Sequence, residues 1–357
     1  MLDLVNVRTL REFGTVFRDN ANFGDHPDGV HGKHVLVTGG AGFIGSHLVE
    51  RLLSEGESVI VIDDLSTGLK HNLKIAEANN RFQWIQRTVS STPNLVELVA
   101  ESSQVFHLAA AVGVERVVKS PVHTIETNLH ESEVLFRAAS RHRIPVLLTS
   151  TSEVYGRSPK QRFSETDDLV IGPPQIARWS YACSKLMDEF LALAHHQESG
   201  LPVKIVRLFN IVGPRQTGEH GMVLPRFIEA ALKGQPLRVY GSGDQTRCFC
   251  HVEDCVEALI RLWRSSEALG QVVNVGGDDI VSIRHLADRV IRILNSASTI
   301  ESISYEQVFR SGFEDMLHRQ PNLARLKELT RFHPVQSIDH IIRDTANWIG
   351  NRAGFRP

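Results

Sequence analysis

Tyr181 and Lys185 stand four residues apart in the segment Tyr181-Ala-Cys-Ser-Lys185. If this segment is helical, the spacing places both side chains on one helix face. A free tyrosine titrates near ~10, too high for a base at neutral pH, but a neighbouring positive charge favours the phenolate and lowers its pKa. The pair therefore predicts a tyrosine that takes a proton from an alcohol. The alternative is an ordinary surface pair on a helix.

Hydroxyl and carboxylate groups follow a predicted strand in Leu147-Leu-Thr-Ser-Thr-Ser-Glu-Val-Tyr-Gly156. Thr151, Ser152 and Glu153 would reach the carboxyl edge of a parallel sheet, where such folds bind their ligands. Thr151 can share the proton that Tyr181 handles. Taken with the tyrosine–lysine pair, these residues predict a site that oxidises a secondary alcohol.

An electron acceptor for this oxidation is indicated by the stretch from Lys33 to Val49, which contains a buried strand, a glycine turn and the start of a helix. Gly39, Gly42 and Gly45 have the spacing of a dinucleotide-binding turn. The first lets the chain turn sharply, and the second lets backbone N–H groups approach a pyrophosphate. The third lets the helix pack closely on the strand. A tight strand–helix turn without a ligand is the alternative.

The residues around this turn complete the cofactor prediction. Phe43 and Ile44 begin the helix, whose positive end would hold the anion. A second strand, 58–62, ends in Asp63, whose carboxylate would accept hydrogen bonds from the adenosine ribose and repel a 2′-phosphate. Ala109 opens a run of three small residues that allow close approach of the cofactor. The sequence therefore predicts that the chain binds NAD in preference to NADP.

Predicted strands and helices alternate from residue 34 to about residue 210. The strands are expected at 34–38, 58–62, 81–86, 105–108, 145–149 and 203–208, and the two longest helices at 121–141 and 178–198. This alternation is typical of an α/β fold with a doubly wound parallel sheet of the Rossmann type. Beyond residue 210 it fails, and short elements mix with Gly/Pro turns. We therefore expect an N-terminal extension (1–33), an NAD-binding Rossmann domain (34–210) and a smaller mixed α/β C-terminal lobe (211–357) that mainly binds the substrate.

Composition excludes several classes of partner. The net charge of −2 over 357 residues gives no electrostatic case for nucleic acid or an anionic membrane. No apolar run approaches the ~20 residues that span a bilayer, and the N-terminus does not resemble a secretory signal. The four cysteines have no metal-binding spacing and are expected to be buried free thiols. These features predict a cytoplasmic protein without a metal site.

Several motifs together resemble the extended short-chain dehydrogenases/reductases that act on nucleotide sugars. The resemblance runs from about His34 to the C-terminus. It rests on Thr38-Gly-Gly-Ala-Gly-Phe-Ile-Gly45, His107-Leu-Ala-Ala110, Ser150-Thr-Ser-Glu-Val-Tyr-Gly156, Tyr181-x-x-x-Lys185, Arg207-Leu-Phe-Asn-Ile-Val-Gly-Pro-Arg215 and Gln245-Thr-Arg247. It implies hydride transfer from C4 of the sugar to NAD, with Tyr181 as base.

The same resemblance implies where the nucleotide binds. Asn210 matches the asparagine that holds the sugar diphosphate, and Arg247 matches the arginine that contacts its phosphates. Tyr240 falls where the family stacks an aromatic ring on the uracil. Each residue also has a purely structural alternative, as a turn former, a surface charge or a core ring. The implied substrate is a UDP-sugar, and helices 121–141 and 178–198 resemble the pair that forms dimers in the family.

Three reactions are known to follow the oxidation in this superfamily, namely 4-epimerisation, dehydration and decarboxylation of UDP-glucuronate. Ser152-Glu153 matches decarboxylases and GDP-mannose dehydratases, whereas simple 4-epimerases usually have small residues there. Arg178 and Arg319 match two arginines of a decarboxylase of the bacterial aminoarabinose pathway. In that enzyme the arginine at the position of Arg178 contacts the sugar acid, and the one at the position of Arg319 is assigned as the proton donor. Two positions depart from that pattern: Phe313 replaces a substrate-binding tyrosine, and Arg87-Thr-Val89 replaces Gly-Asp-(Ile/Val).

Decarboxylation also agrees with the chemistry of these side chains. Oxidation of C4 in a glucuronate leaves the C6 carboxylate β to a ketone, so CO2 can leave while the electrons enter an enolate. The site then needs cations for the carboxylate, a donor for the enolate oxygen and an acid for C5. Arg178, Arg319, Tyr181 and Glu153 suit these roles. We therefore expect a UDP-glucuronate decarboxylase, with a 4-epimerase, a dehydratase and a non-catalytic NAD-binding sensor as successively weaker alternatives.

Overall fold

The computed structural model describes residues 33–111, 120–218, 222–304, 307 and 315–353. Phe313 and all of the predicted extension except Lys33 lie outside this part of the chain. In chain order the elements are β1 (His34–Thr38), α1 (Phe43–Ser54), β2 (Val59–Ile62), β3 (Phe82–Ile85), α2 (Leu95–Ala100), β4 (Ser102–His107), α3 (Pro121–His142), β5 (Val146–Thr151), β6 (Arg162–Phe163), α4 (Trp179–Ser199), β7 (Val203–Leu208), β8 (Ile211–Val212), α5 (Val223–Leu232), β9 (Leu237–Tyr240), β10 (Thr246–Cys248), β11 (Cys250–His251), α6 (Val252–Arg264), β12 (Val272–Val275), β13 (Ile280–Ser282), α7 (Ile283–Ile293), β14 (Ile300–Ile303), β15 (His318–Pro321), α8 (Ala324–Thr330) and α9 (Ile338–Ala353).

Seven parallel strands form the central sheet, in the order β12-β7-β5-β4-β1-β2-β3. Its inner strands contain buried apolar runs, such as Val35–Val37 of β1 and Val146–Leu148 of β5, because helices cover both faces of the sheet. On one face α1 and α6 bury Leu52 and Leu259, and on the other α3 and α4 bury Phe136 and Ala192. The prediction of a doubly wound parallel sheet is confirmed.

Two strand boundaries differ from the prediction by more than one residue. β4 begins at Ser102, three residues before the predicted start. β5 continues to Thr151, two residues past its predicted end, because Ser150 and Thr151 pair with Arg207 and Leu208 of β7. The polar residues at this sheet edge are therefore held by strand hydrogen bonds rather than by a loop.

The boundary predicted at residue 210 does not separate the central sheet from the rest of the chain. After β7 the chain forms β8 to β11 and α6, and then returns to add β12 beside β7, with Val273 opposite Val206. β12 is therefore the edge strand of the central sheet and covers the outer side of β7. The predicted assignment of 211–357 mainly to substrate binding stays a prediction.

Smaller sheets lie beside the carboxyl edge of the large one. A four-stranded sheet has the order β13-β10-β15-β6, with one antiparallel and two parallel pairings. Its parallel β10–β15 pair sets Arg247 opposite Arg319. The prediction of a smaller mixed α/β lobe is confirmed, and this sheet brings two arginines from distant parts of the sequence together.

Two further predictions concern the thiols and the membrane. Cys248, Cys250 and Cys255 are buried free thiols, as expected, but Cys183 is exposed because it lies on the outer face of α4. The expectation of burial was wrong for that residue. Within the described ranges, none of the helices combines the length and apolar character needed to cross a membrane.

Candidate active site

The glycine turn after β1 fits a dinucleotide because side chains have no room there. Gly39 has φ +75°, and a Cβ at this position would lie 2.7 Å from the Ala109 backbone nitrogen. A Cβ on Gly45 would lie 2.2 Å from the Gly39 carbonyl oxygen. Gly42 precedes α1 and has no side chain that could cap it. The first N–H groups of α1 therefore face the cleft, as a pyrophosphate requires.

Asp63 is held rigidly at the end of β2. Its Oδ2 accepts a hydrogen bond from the Ala41 N–H at 2.9 Å, and its Oδ1 accepts one from the Leu65 N–H at 2.8 Å. Burial raises the pKa of this carboxyl, although the two backbone donors act in the opposite direction. The predicted cofactor-binding residues all line a single cleft: Gly39, Gly42, Phe43, Ile44, Gly45, Asp63, Ala109, Tyr181 and Lys185. Their contacts with NAD stay predictions.

Asp63→Ala should improve binding of NADP relative to NAD by at least about 10-fold, because apposed like charges cost several kcal/mol. Fluorescence titration of the purified protein with the two cofactors measures this ratio. Asp64→Ala is the matched control, since Asp64 is the exposed neighbour. An unchanged ratio in Asp63→Ala would show that this acid does not select the cofactor.

Tyr181, Thr151 and Lys185 meet where α4 begins beside the end of β5. The Thr151 hydroxyl hydrogen-bonds to Tyr181 and also accepts the Glu153 backbone N–H at 3.2 Å. One turn along α4, Lys185 also lines the cleft, although its side chain is only 2% exposed. The predicted proton-transfer residues are therefore brought together.

The expected lowering of the Tyr181 pKa is not produced by the protein groups alone. Burial and the Glu153 carboxylate raise this pKa, whereas Arg319 and the Thr151 hydroxyl act in the opposite direction. Lys185 is engaged in an ion pair with Asp188 at 2.8 Å, so its charge is largely offset. The sequence prediction took the Lys185 ammonium into account but not the Asp188 carboxylate that pairs with it.

Three arginines converge next to Tyr181. Arg247 and Arg319 are cross-strand neighbours on β10 and β15, and Arg178 immediately precedes α4. Like charges opposite one another destabilise a sheet, so this arrangement requires carboxylates between them. Asp315 supplies one, because its Oδ1 lies 3.0 Å from Arg247 and 3.2 Å from Arg178.

Glu153 is the second carboxylate of this cluster. Its Oε1 lies 3.1 Å from Arg319 Nη1 and 3.5 Å from Arg178 Nη2. Although burial alone would raise the pKa of Glu153, the three arginines lower it below its ordinary value. Glu153 is therefore an anion in the free protein and orients Arg319.

The pKa of Arg319 is also lowered from its ordinary value. Burial and the charges of Arg247 and Arg178 lower its pKa, against the stabilising effect of Glu153. Its Nε donates to the Ser152 hydroxyl at 2.9 Å. Ser152 itself is fully buried, so the structure places it behind Arg319 rather than on the cleft wall. These contacts fix a guanidinium whose N–H groups are more acidic than those of a surface arginine.

The predicted nucleotide residues line the same cleft. Asn210 has φ +39°, and its Nδ2 donates to the Cys248 carbonyl at 2.9 Å, which ties β7 to the smaller sheet. Tyr240 ends β9, where the Arg226 guanidinium lies over its ring and hydrogen-bonds its hydroxyl. Asn210, Tyr240 and Arg247 all contribute to the cleft wall. Their contacts with a nucleotide stay predictions.

Sequence reasoning assigned no role to Asp188, Asp315 or Arg226. Asp188 follows Tyr181 and Lys185 at helical spacing, so their shared face was a signal that could have found it. Asp315 lies near Arg319 in sequence, but its contact with Arg178 is long-range. Arg226 reaches Tyr240 from α5, which no local pattern indicates.

A parallel Rossmann sheet, a glycine turn at the start of its first helix and a tyrosine–lysine pair on a later helix define a short-chain dehydrogenase/reductase. The profile of the NAD dependent epimerase/dehydratase family matches residues 35–276. The chain belongs to that family, and the predicted cofactor, NAD, is confirmed.

Curated relatives cover most of the chain. UDP-N-acetyl-alpha-D-glucosaminuronate decarboxylase of Bacillus cytotoxicus is 40% identical over 317 residues, which cover 88% of this chain and 97% of that protein. UDP-glucuronic acid decarboxylase 2 of Arabidopsis thaliana is 36% identical over 308 residues, which cover 86% of this chain and 66% of that protein. The structure of UDP-glucuronic acid 4-epimerase from Bacillus cereus, in complex with UDP-glucuronic acid and NAD, has a TM-score of 0.78 at 27% identity and covers 89% of this chain and 99% of that one.

Proposed function

We propose that this chain is an NAD-dependent decarboxylase of a UDP-linked uronic acid, with UDP-glucuronate as the favoured substrate. The observation that carries the proposal is the charge balance beside Tyr181. Among the described residues, three arginines there contact two carboxylates, Glu153 and Asp315, so the formal charges of these five groups sum to one positive charge. One substrate carboxylate would neutralise that charge, and a guanidinium fork suits its two oxygens.

The reaction begins with oxidation at C4 of the sugar. NAD, when bound at the glycine turn, supplies the hydride acceptor. Tyr181 takes the C4 hydroxyl proton, with Thr151 sharing it and Lys185 stabilising the phenolate. The Thr151 hydroxyl hydrogen-bonds to Tyr181, and Lys185 lies one turn further along α4 and lines the same cleft.

The resulting ketone makes the C6 carboxylate a leaving group. The C5–C6 bond breaks, CO2 departs, and its electron pair enters an enolate whose oxygen accepts a hydrogen bond from Tyr181. Arg178 holds the carboxylate, and Arg319 delivers a proton to C5. The lowered pKa of Arg319 favours this donation. Glu153 orients Arg319 rather than acting as the acid, since its own pKa is lowered.

The reactions named for similar proteins support decarboxylation of a UDP-linked uronic acid and also indicate an alternative substrate and an alternative reaction. The Bacillus cytotoxicus relative acts on a 2-acetamido uronate, and the Arabidopsis relative acts on UDP-glucuronic acid. The Bacillus cereus enzyme is a 4-epimerase, and this favours UDP-glucuronate 4-epimerase as the second candidate function. A dehydratase is a weaker alternative.

Incubation with NAD and a panel of UDP-sugars, followed by mass spectrometry, tests the proposal. The panel comprises UDP-glucuronate, its 2-acetamido analogue and UDP-glucose. Loss of about 44 Da (UDP-xylose) or about 46 Da (UDP-4-keto-xylose, which has also lost two hydrogens) indicates decarboxylation, and loss of about 18 Da indicates dehydration. An isomer of unchanged mass, without labelled CO2 from UDP-[6-14C]glucuronate, would favour the epimerase. Retention or consumption of NADH distinguishes UDP-4-keto-xylose from UDP-xylose.

We infer that the chain forms a homodimer through α3 and α4. Apolar side chains are exposed on both helices: Val122 (65%), Ile125 (36%), Met187 (52%) and Phe190 (60%). On α4, Met187 and Phe190 share one face with the exposed Cys183, since these positions follow helical spacing. A second copy with the same patch would cover this face by twofold symmetry.

Phe190→Asp should convert the dimer to a monomer, because it places a charge in the centre of an apolar interface. Light scattering after size-exclusion chromatography measures the mass. Ile280→Asp is the matched control, since Ile280 is 56% exposed and lies on β13, away from α4. A monomeric wild-type protein would refute the dimer directly.

The buried thiols support a cytoplasmic location. Cys248, Cys250 and Cys255 form no disulfide, and burial raises the pKa of all three, that of Cys248 to about 12. Unoxidised buried cysteines are typical of proteins in reducing compartments.

A further inference from the structure

Asp188 is completely buried against Lys185. Its side chain has 0% exposure, and its Oδ2 accepts a hydrogen bond from Lys185 Nζ at 2.8 Å. The two residues are separated by three positions on α4, and Tyr181 lies one turn before Lys185. The carboxylate, the ammonium and the phenol therefore follow one another along a single helix face.

A chain of polar contacts fixes Asp188 from the opposite side. The Ser132 hydroxyl on α3 hydrogen-bonds to Asp188 and lies 3.1 Å from His107 Nε2. His107 Nδ1 lies 2.7 Å from the Thr38 hydroxyl at the end of β1. Burial and the Lys185 charge lower the pKa of His107 to about 3, so this ring is neutral. This series of hydrogen bonds connects the Lys185–Asp188 pair to β1, the strand that precedes the glycine turn.

The other charges around Asp188 are already paired or act from farther away. Glu189, the next residue on α4, binds Arg207 of β7 at 2.7 Å and accepts the Ser150 hydroxyl of β5 at 2.5 Å. Glu153, after β5, pairs with Arg319 and Arg178. Among the described residues, Asp188 therefore supplies the close counter-ion of Lys185.

We propose that Asp188 is a positioning residue that fixes the Lys185 ammonium beside Tyr181 and sets the pH range in which this pair acts. The proposal rests on the proposed function only in that Tyr181 is the base. Asp188 itself touches neither Tyr181's hydroxyl nor a substrate.

The direction of the effect follows from electrostatics. A buried ammonium without a counter-ion gives up its proton more readily, and a nearby carboxylate opposes formation of a phenolate. Asp188 is one of the groups that raise the pKa of Tyr181, together with burial and Glu153. Removing its charge therefore favours the deprotonated form of both partners. The enzyme acts in the pH range above deprotonation of Tyr181 and below deprotonation of Lys185. Both limits of this range should therefore move to lower pH in a variant without the Asp188 charge.

Asp188→Asn tests this because the amide keeps the size and can still accept the Lys185 hydrogen bond. In the pH profile of kcat, we expect the acid limb to move down by about 0.5 to 1 pH unit and the alkaline limb by about 1 unit or more. Ser184→Ala is the matched control. It deletes a buried hydrogen bond of the same helix, between Ser184 and Asn128 at 3.0 Å, without changing charge. A purely structural role predicts the same unshifted profile for both variants, and that result would overturn the proposal.

A second measurement needs neither NAD nor substrate. Competitive labelling of the free protein with acetic anhydride, followed by peptide mass spectrometry, gives the pH at which Lys185 becomes half-reactive. This pH should fall by about 1 unit or more in Asp188→Asn and stay constant in Ser184→Ala. Equal values in wild type and Asp188→Asn would refute the role of Asp188. If Asp188→Asn does not fold, Asp188→Ser removes the same charge with less bulk and carries the same expectations.

The two proposals fail in distinguishable ways. If wild-type protein releases no CO2 but epimerises or dehydrates a UDP-sugar, the proposed function is wrong. The pH profile is then recorded on that reaction, and the labelling experiment is unaffected. An unshifted profile and an unshifted labelling midpoint, in a protein that does release CO2, overturn the role of Asp188 alone.

Discussion

Tyr181→Phe should slow oxidation of the sugar C4 hydroxyl by at least about 100-fold, the usual contribution of a positioned base. The substitution keeps the ring, and so the packing at the start of α4, but deletes the group that takes the proton. Thr151 remains, but an aliphatic hydroxyl is a much weaker base than a phenolate. Single-turnover formation of NADH with UDP-glucuronate measures the step, because it isolates oxidation from the later loss of CO2.

Tyr155→Phe is the control for this result. Tyr155 is a fully buried tyrosine close in sequence to Thr151, and its hydroxyl donates to Asn274 Oδ1 at 2.8 Å. Removing that hydroxyl should cost about 1 kcal/mol of folding free energy but leave oxidation by the folded protein close to normal. NAD affinity should be retained in both variants. Near-normal NADH formation by Tyr181→Phe would remove Tyr181 from the chemistry.

Arg319→Met should reduce CO2 release from UDP-glucuronate by roughly 30- to 1000-fold. The thioether keeps much of the aliphatic stem but deletes a charge-assisted contact in a largely dry site, which is worth about 2–4 kcal/mol in the transition state. The expected loss has two sources: the proton donor to C5 disappears, and the cluster loses the positive charge that a substrate carboxylate requires. Release of labelled CO2 from UDP-[6-14C]glucuronate is the direct measurement.

NAD binding should survive in Arg319→Met, because Arg319 lies on β15 in the smaller sheet and the glycine turn follows β1. Arg325→Met is the matched control, since Arg325 donates to the Val272 carbonyl at 2.9 Å and takes no part in the arginine cluster. Its CO2 release should stay close to that of the wild type. If Arg319→Met releases CO2 normally while the wild type is confirmed as a decarboxylase, another group must protonate C5.

Much of the fold was predictable because its determinants are local. The apolar run of β1, the glycines after it and the acid that ends β2 lie within 30 residues of one another, and each has a steric or electrostatic reason to be there. The same holds for Tyr181 and Lys185, whose relation is set by one helical turn. By contrast, β12 joins β7 across more than 60 residues of other structure, so its place in the sheet could not be inferred from alternation.

The sequence by itself determined which chemistry is available: a dinucleotide turn, an acid for the ribose, a tyrosine–lysine pair and a set of arginines. Tertiary structure decided how these groups act on one another. It set Arg247 opposite Arg319 and enclosed Glu153 between arginines, which lowers the pKa of that carboxyl. It also buried Asp188 against Lys185 and reversed the expected pKa shift of Tyr181. The physical reason is that desolvation and long-range charge pairs depend on what surrounds a side chain in space, whereas residue type and local spacing specify only what it can do.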